Sequence, residues 1–202
     1  TWNVKSYFCP TCQSSDRNRL YAMYLAKYLR QLSPCIKMTF VEFAPSKPLG
    51  QFIRSEIGRL GLDMTHITAD LNLEWVQVKV NLEQMTVFSD QSVDFFLCSH
   101  VLEHVRNDQR ALSELFRILK LGGKGILMVP INLGANQISE DPSVHEVGER
   151  WGRFGQNDHV REYSRMGFIE RVRSCGFVLH EYGVKDFGYM SFWRNGITNK
   201  SV

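Results

Sequence analysis

Between positions 93 and 131 the alternation of apolar runs and polar breaks predicts strand, loop, helix, turn and strand in succession. VDFFLC, at 93–98, is an almost unbroken apolar run, the pattern of a strand covered on both faces. The next residues, 99–106, form a polar loop with His100, Glu103 and His104. Asn107 can cap a helix by accepting a backbone N–H bond. Leu112, Leu115, Phe116 and Leu119 then recur at helical spacing. Gly122 and Gly123 predict the left-handed stop of that helix. A second apolar strand is expected at 125–131, halted by Pro130 and Asn132. Two buried strands joined by one helix make a parallel, right-handed βαβ unit. Ligands of such sheets bind beyond the carboxyl ends of the strands. Those ends carry Ser99-His100 and Pro130-Ile131-Asn132.

The same reading extends to the rest of the chain. Asp16 is expected to cap a helix over 17–32, with an apolar stripe of Leu20, Tyr21, Tyr24, Leu25, Tyr28 and Leu29. A strand follows at 38–44. A helix then starts near Pro48, where proline is tolerated, and stops at Gly61. Strands are expected at 64–71 and, half-exposed through the alternation of Val76, Val78 and Val80 with polar residues, at 75–82. Residues 133–158 are polar, glycine-rich and long for a connection, and they include Trp151 and Phe154. A segment of that length in a compact domain points to a functional lid or to disorder. Asp158 is expected to cap a helix over 159–175, with His159, Arg161 and Tyr163 near a pocket rim. Strands at 177–184 and 190–194 complete the pattern, and the polar 195–202 tail is expected to fray. The division is an N-terminal segment, 1–15, and one α/β domain, 16–202, with an insertion at 133–158.

Composition narrows the class without choosing a function. The chain has 202 residues, 44% hydrophobic and 22% charged, enough for one α/β core. A formal net charge of +3 is too small to argue for nucleic acid or an anionic membrane surface. No apolar run approaches a membrane span, and no charged-then-apolar leader argues for export. Five cysteines in scattered positions do not form a disulfide framework, so a reducing, cytoplasmic setting is expected.

Cys9-Pro10-Thr11-Cys12 is a C-x-x-C turn, which can offer two thiolates to one tetrahedral zinc ion. Cys9 and Cys12 are therefore the candidate metal ligands. A complete site needs two more, and Cys35, Cys98 and Cys175 stand alone, so a reduced turn that packs its cysteines explains the same motif. No G-x-G-x-x-G follows a strand, which speaks against a nicotinamide-dependent oxidoreductase.

DFFLCSHVLEHV followed by ALSELFRILKLGG resembles the core of class I S-adenosylmethionine-dependent methyltransferases. It is most similar to the type 11-like subgroup, which also carries FAP after the first strand and motifs like EDPS and FGQNDHVREY downstream. The resemblance implies a Rossmann-like fold: a mostly parallel seven-stranded sheet with an antiparallel C-terminal hairpin and helices on both faces. It implies cofactor contacts from Glu42, Phe43, Ala44 and Pro45 after the first strand. Ala44 and Ser46 stand where the wider family has glycine. Asp70, with Leu71, closes the second strand and suits the ribose hydroxyls, since a carboxylate can accept from both; it is the strongest single cofactor candidate, with a loop-capping role as the alternative. Asn81 and Leu82 are placed against adenine, and Ser99 and His100 line the pocket. His159, His104 and His100 are the candidate bases, because imidazole titrates near neutrality. Glu103 lies close enough to matter for substrate. The partner is expected to be a small, polar methyl acceptor, with no clear nucleic-acid or membrane signal. The alternative is a methyltransferase-like module that binds without catalysing.

Overall fold

The computed structural model describes residues 7–197. Its described residues fall into two compact units, one drawn from residues 7–38, Pro45–His66 and 180–197, the other from Thr39–Ala44 and Ile67–Leu179.

The first unit contains two long helices that pack on each other. Helix α1 is Asp16–Leu29, and its N-cap is Ser15, whose Oγ accepts from Asn18 N. Asp16 sits one residue inside the helix instead of capping it. Leu20, Tyr21, Leu25 and Leu29 of the expected stripe are buried. Helix α2, Lys47–Leu60, is capped by Ser46 and ends at Gly61 in the left-handed conformation, φ +62°. The side chains of Asn18 and Ser46 bond at 2.9 Å.

Five strands form the central sheet: β1 Met38–Phe43, β2 Met64–Asp70, β3 Val78–Lys79, β4 Val93–Ser99 and β5 Leu119–Met128. Their order is β3-β2-β1-β4-β5, and they run parallel. The order reverses between β1 and β4, which pair Phe43 with Cys98. That reversal opens the crevice in which doubly wound sheets hold ligands. The expected strand at 75–82 contracts to two residues. Helix α3, Asp108–Ile118, is capped by Asn107, whose Oδ1 accepts from Arg110 N. The core of this unit gathers Val41, Phe43, Phe96, Leu112, Leu115 and Ile118, among others.

Gly122 and Gly123 do not stop α3. The helix ends at Ile118 and the chain enters β5 directly, with a register shift against β4 between Val93 and Phe95. Gly122, at φ +77°, belongs to that irregularity. Gly125 lies so close to Phe96 that a Cβ there would stand 2.3 Å from the ring Cζ.

The 133–158 insertion is ordered around a second, smaller sheet. Strands β6 Ile131–Asn132, β7 Ser139–Glu140 and β8 Arg161–Ser164 lie in the order β6-β8-β7. β6 pairs with β8 in parallel and β7 pairs with it antiparallel, which sets Glu140 opposite Arg161. Helix α4, Val147–Phe154, buries Phe154 and leaves Trp151 exposed. The helix expected over 159–175 begins later, as α5 Arg165–Ser174, capped by Ser164. Asp158 is thus not an N-cap.

The C-terminal hairpin is corrected outright, and with it the count of seven strands. Its place is taken by two short helices, α6 Val184–Phe187 and α7 Tyr189–Arg194. Asp186 accepts from Gly183 N to start α6, and Gly188 takes φ +83° between the two. Short apolar and aromatic runs are ambiguous between strand and helix, and these local turn bonds decide for helix. Of the expected tail, 198–202 lies outside the described residues.

Candidate active site

The ends of β1 and β4 bring the expected residues together by register. Glu42 pairs with Leu97 and Phe43 with Cys98, so Ala44 and Ser99 leave the sheet side by side. Glu42 and Phe43 are buried, while Ala44 is exposed. Ala44 takes φ +46°, the left-handed region that favours glycine. The substitution that distinguishes this loop from its glycine-bearing relatives therefore keeps a glycine-like backbone. His100 takes φ +55° at the end of β4 and donates its backbone N–H to Met128 O at 2.8 Å. Two non-glycine residues in the left-handed region at adjacent strand ends mark a site where strain is tolerated. Pro45, also expected here, is buried in the other unit.

Asp70 closes β2. Its Oδ1 accepts from Asn72 N at 2.7 Å and Leu73 N at 2.8 Å, the turn-capping role. Oδ2 takes no part in that turn, so the same carboxylate can serve a ligand. Leu71 beside it is 57% exposed, an apolar surface next to the acid. Asn81 is exposed, and its Oδ1 already accepts from Glu83 N at 2.9 Å, leaving the amide nitrogen as its outward donor. Leu82 is buried in the core beside Met85.

The loop after β4 holds the histidines. Glu103 is buried, 1% exposed, and neither carboxylate oxygen has a hydrogen-bond partner among the described residues. His100 Nδ1 stands 3.2 Å from Glu103 Oε1 and His104 Nε2 stands 3.9 Å from it, neither in hydrogen-bond geometry. His159 arrives from the insertion, because Val160 N donates to Glu103 O at 3.0 Å. The His104 and His159 rings meet edge to face at 4.8 Å. His159 Nδ1 is 3.1 Å from Phe154 O, and since a carbonyl only accepts, that nitrogen carries the proton. Burial holds the His159 imidazolium pKa below its ordinary value, opposed by the negative charge of Glu103. Asp158 turns its Oδ2 to His104 Nδ1 at 3.3 Å.

Arg161 and Tyr163, expected at a rim, are instead buried beneath this loop. The Arg161 guanidinium donates to Leu102 O, Val105 O and Arg106 O, and to Glu140 Oε2 at 3.1 Å. Tyr163 Oη donates to Asp108 Oδ2, and burial together with Asp108 pushes its phenol well above the usual range. Arg171 bonds both Asp108 and Glu140. Hydrogen bonds from Arg171 and, more weakly, Arg161 hold the Glu140 carboxyl at about 2. Two guanidiniums thus meet two carboxylates, a balanced set that fastens the histidine loop to the insertion. Sequence reasoning placed Arg161 and Tyr163 in the region but missed Asp108, Glu140 and Arg171. The one available signal was the alternation of Arg161 and Tyr163, which reads as one strand face.

Cys9 and Cys12 form a tight turn in which Gln13 N donates to Cys9 O, and backbone hydrogen bonds from Cys12 and Thr11 lower the Cys9 thiol pKa. Among the described residues no third ligand joins them. No helix among those residues is long and apolar enough to cross a membrane.

A doubly wound parallel sheet, with an acid closing β2 and a polar loop after β4, defines a Rossmann-like α/β protein, a class that holds ligands over the strand ends. Residues 40–127 match the family model described as a methyltransferase domain, so this segment carries an S-adenosylmethionine-dependent methyltransferase domain. Among solved structures it is similar to a Haloferax volcanii protein described as a methyltransferase, determined in complex with the Trm112 methyltransferase activator. They share 16% identity over 92% of this chain and 89% of that one, with a TM-score of 0.54. A Bacillus halodurans methyltransferase is 16% identical over 89% and 80% of the two chains, TM-score 0.51. An S-adenosylmethionine-dependent methyltransferase from Mesorhizobium loti is 12% identical over 77% and 81%, TM-score 0.50. At these identities the likeness is one of fold. A comparison with curated proteins finds no match.

Proposed function

We propose that this protein transfers a methyl group from S-adenosylmethionine to a small polar acceptor held between the end of β4 and the 133–158 insertion. The observation that carries the reading is Asp70, whose Oδ1 is committed to the turn after β2 while its Oδ2 remains outside that turn. A carboxylate oxygen at that strand end suits a ribose hydroxyl. The exposed Leu71 and the left-handed Ala44 also fit the cofactor, the first as an apolar platform and the second by keeping its backbone close to the amino-acid end. Glu42, Phe43, Asn81, Leu82 and Ser99 complete the cofactor contacts in this reading, with Asn81 using its amide nitrogen.

When bound, S-adenosylmethionine supplies an electrophilic methyl on sulfur. The chain's part is to align the acceptor in line with that methyl and to receive the acceptor's proton. His159 suits a base, since its Nδ1–H is held by Phe154 O and its Nε2 stays unprotonated at neutral pH. His104 and His100 stand on either side of Glu103 and orient the acceptor.

The test is calorimetric titration with S-adenosylmethionine and S-adenosylhomocysteine, comparing Asp70→Asn with the unaltered protein. Asparagine keeps the Oδ1 acceptor of the turn and replaces only the outward oxygen. Micromolar binding, weakened at least tenfold by Asp70→Asn with unchanged thermal stability, is the expected result. No binding by folded protein would overturn it and favour a methyltransferase-like binding module.

A further inference from the structure

Glu103 presents a chemical problem that methyl transfer does not solve. A carboxylate 1% exposed with no hydrogen-bond partner among the described residues is costly to bury unless a cation accompanies it. Among the described residues no lysine or arginine pairs with it; the ionisable side chains beside it are histidines. We propose that Glu103, His104 and His159 bind a divalent transition-metal ion of the zinc type.

One donor atom from each of the three lies within 4.8 Å of the others. Tetrahedral donors at about 2.0–2.2 Å from zinc stand roughly 3.4 Å apart, so the cluster closes by about an ångström on binding. The imidazoles are oriented for the task. His159 Nδ1 is held by Phe154 O and His104 Nδ1 faces Asp158 Oδ2, which leaves Nε2 of each ring for the metal. Metal-binding histidines show this arrangement, the second ring nitrogen held by a carbonyl or carboxylate. Two imidazoles and one carboxylate favour zinc and its neighbours over magnesium or calcium, which prefer oxygen. Three protein ligands leave a position open, as catalytic rather than structural sites do. His100, 27% exposed on its side chain, stands at the edge beside Glu103.

The site deepens the methyl-transfer reading. An acceptor oxygen in the open position would be polarised by the ion and lose its proton to solvent more readily. The acceptor class is then an oxygen acid or hydroxyl that can ligate a metal; with the ion bound, the base role given above to His159 passes to solvent, because its Nε2 is a ligand. Metal binding itself does not depend on that reading.

The experiment uses full-length protein stripped with chelator, with Cys9→Ser and Cys12→Ser introduced so that the thiolate turn cannot contribute. Titration with Zn²⁺ is followed by calorimetry, and with Co²⁺ by visible absorption. One ion per chain at micromolar or tighter affinity is expected, with cobalt bands free of thiolate charge transfer. Glu103→Gln and His104→Asn should each weaken binding at least 100-fold. Asp158→Asn, on an exposed side chain whose Oδ2 faces His104 and whose Oδ1 accepts from Gln156, should weaken it about 10- to 100-fold while the protein stays folded. Absence of binding in the cysteine-free background, or binding indifferent to all three variants, overturns the site. Calorimetry with S-adenosylhomocysteine, with and without Zn²⁺, separates the two readings: its failure with zinc bound removes the methyltransferase reading alone.

Discussion

Arg161→Met replaces a guanidinium by an apolar side chain of similar length at a position 1% exposed. The carboxylates it touches keep partners, because Arg171 still bonds Asp108 and Glu140 and Tyr163 still bonds Asp108. The loss therefore falls on the carbonyls of Leu102, Val105 and Arg106, which are bonded at 2.5, 2.5 and 2.8 Å. Tyr163 Oη lies 3.3 Å from Leu102 O but its one proton goes to Asp108, while the carbonyl of the exposed Arg106 can turn to water. Leaving a buried acceptor without a donor costs about 1–3 kcal/mol. Two carbonyls orphaned, those of Leu102 and Val105, put the destabilisation at roughly 2–6 kcal/mol, a large share of the 5–15 kcal/mol typical of a domain. Urea unfolding should show a lower midpoint with an unchanged slope. Hydrogen exchange should rise most at the amides of 102–106, the loop that carries Glu103 and His104. Arg161→Lys should recover only part of the loss, since one ammonium cannot span three carbonyls in fixed directions. A loss under about 1 kcal/mol for Arg161→Met, or exchange that rises uniformly, would refute the role of Arg161 as the clamp on this loop.

The same network predicts a pH dependence. Glu140 has a folded pKa of about 2 against an ordinary 4.5, so its stabilisation is complete above 4.5 and is lost as pH falls toward 2. Its side chain is 35% exposed, so screening reduces the effect to about 1–2 kcal/mol. Unfolding free energies measured between pH 6 and 2.5 should fall less steeply in Glu140→Gln than in the unaltered protein, and parallel curves would remove the carboxylate from the account. Gly125→Ala should destabilise by about 1–3 kcal/mol, because the added methyl meets the Phe96 ring at 2.3 Å inside the β4–β5 pair. A melting temperature unchanged by that substitution would mean the ring moves away freely.

How much was legible in the amino-acid order follows from the range of each interaction. The run at 93–98 announces β4, since a strand covered on both faces needs near-unbroken apolar residues, and the shorter apolar stretches at 38–44 and 64–71 mark β1 and β2. Asn107 as a cap and Gly61 as a stop are local too, settled within one helical turn. The strand ends, and hence Ser99, His100 and Asp70 as site candidates, follow from the same local pattern. Where local signals compete, the reading fails: Asp16 and Asp158 look like caps, yet neighbouring serines cap both helices. The aromatic 177–194 stretch has strand spacing, yet Gly183 and Gly188 turn it into two short helices. Arg161 lies 59 positions from Leu102, and no local rule says that its guanidinium closes on that carbonyl. The approach of His159 to Glu103 is of the same kind, made by Val160 N across the insertion. Residue order along a strand or helix is dictated by backbone periodicity and is visible in one dimension. The meeting of a buried carboxylate with the imidazole of His159 from a distant segment depends on how the second sheet pairs β7 and β8, and only the tertiary structure decides it.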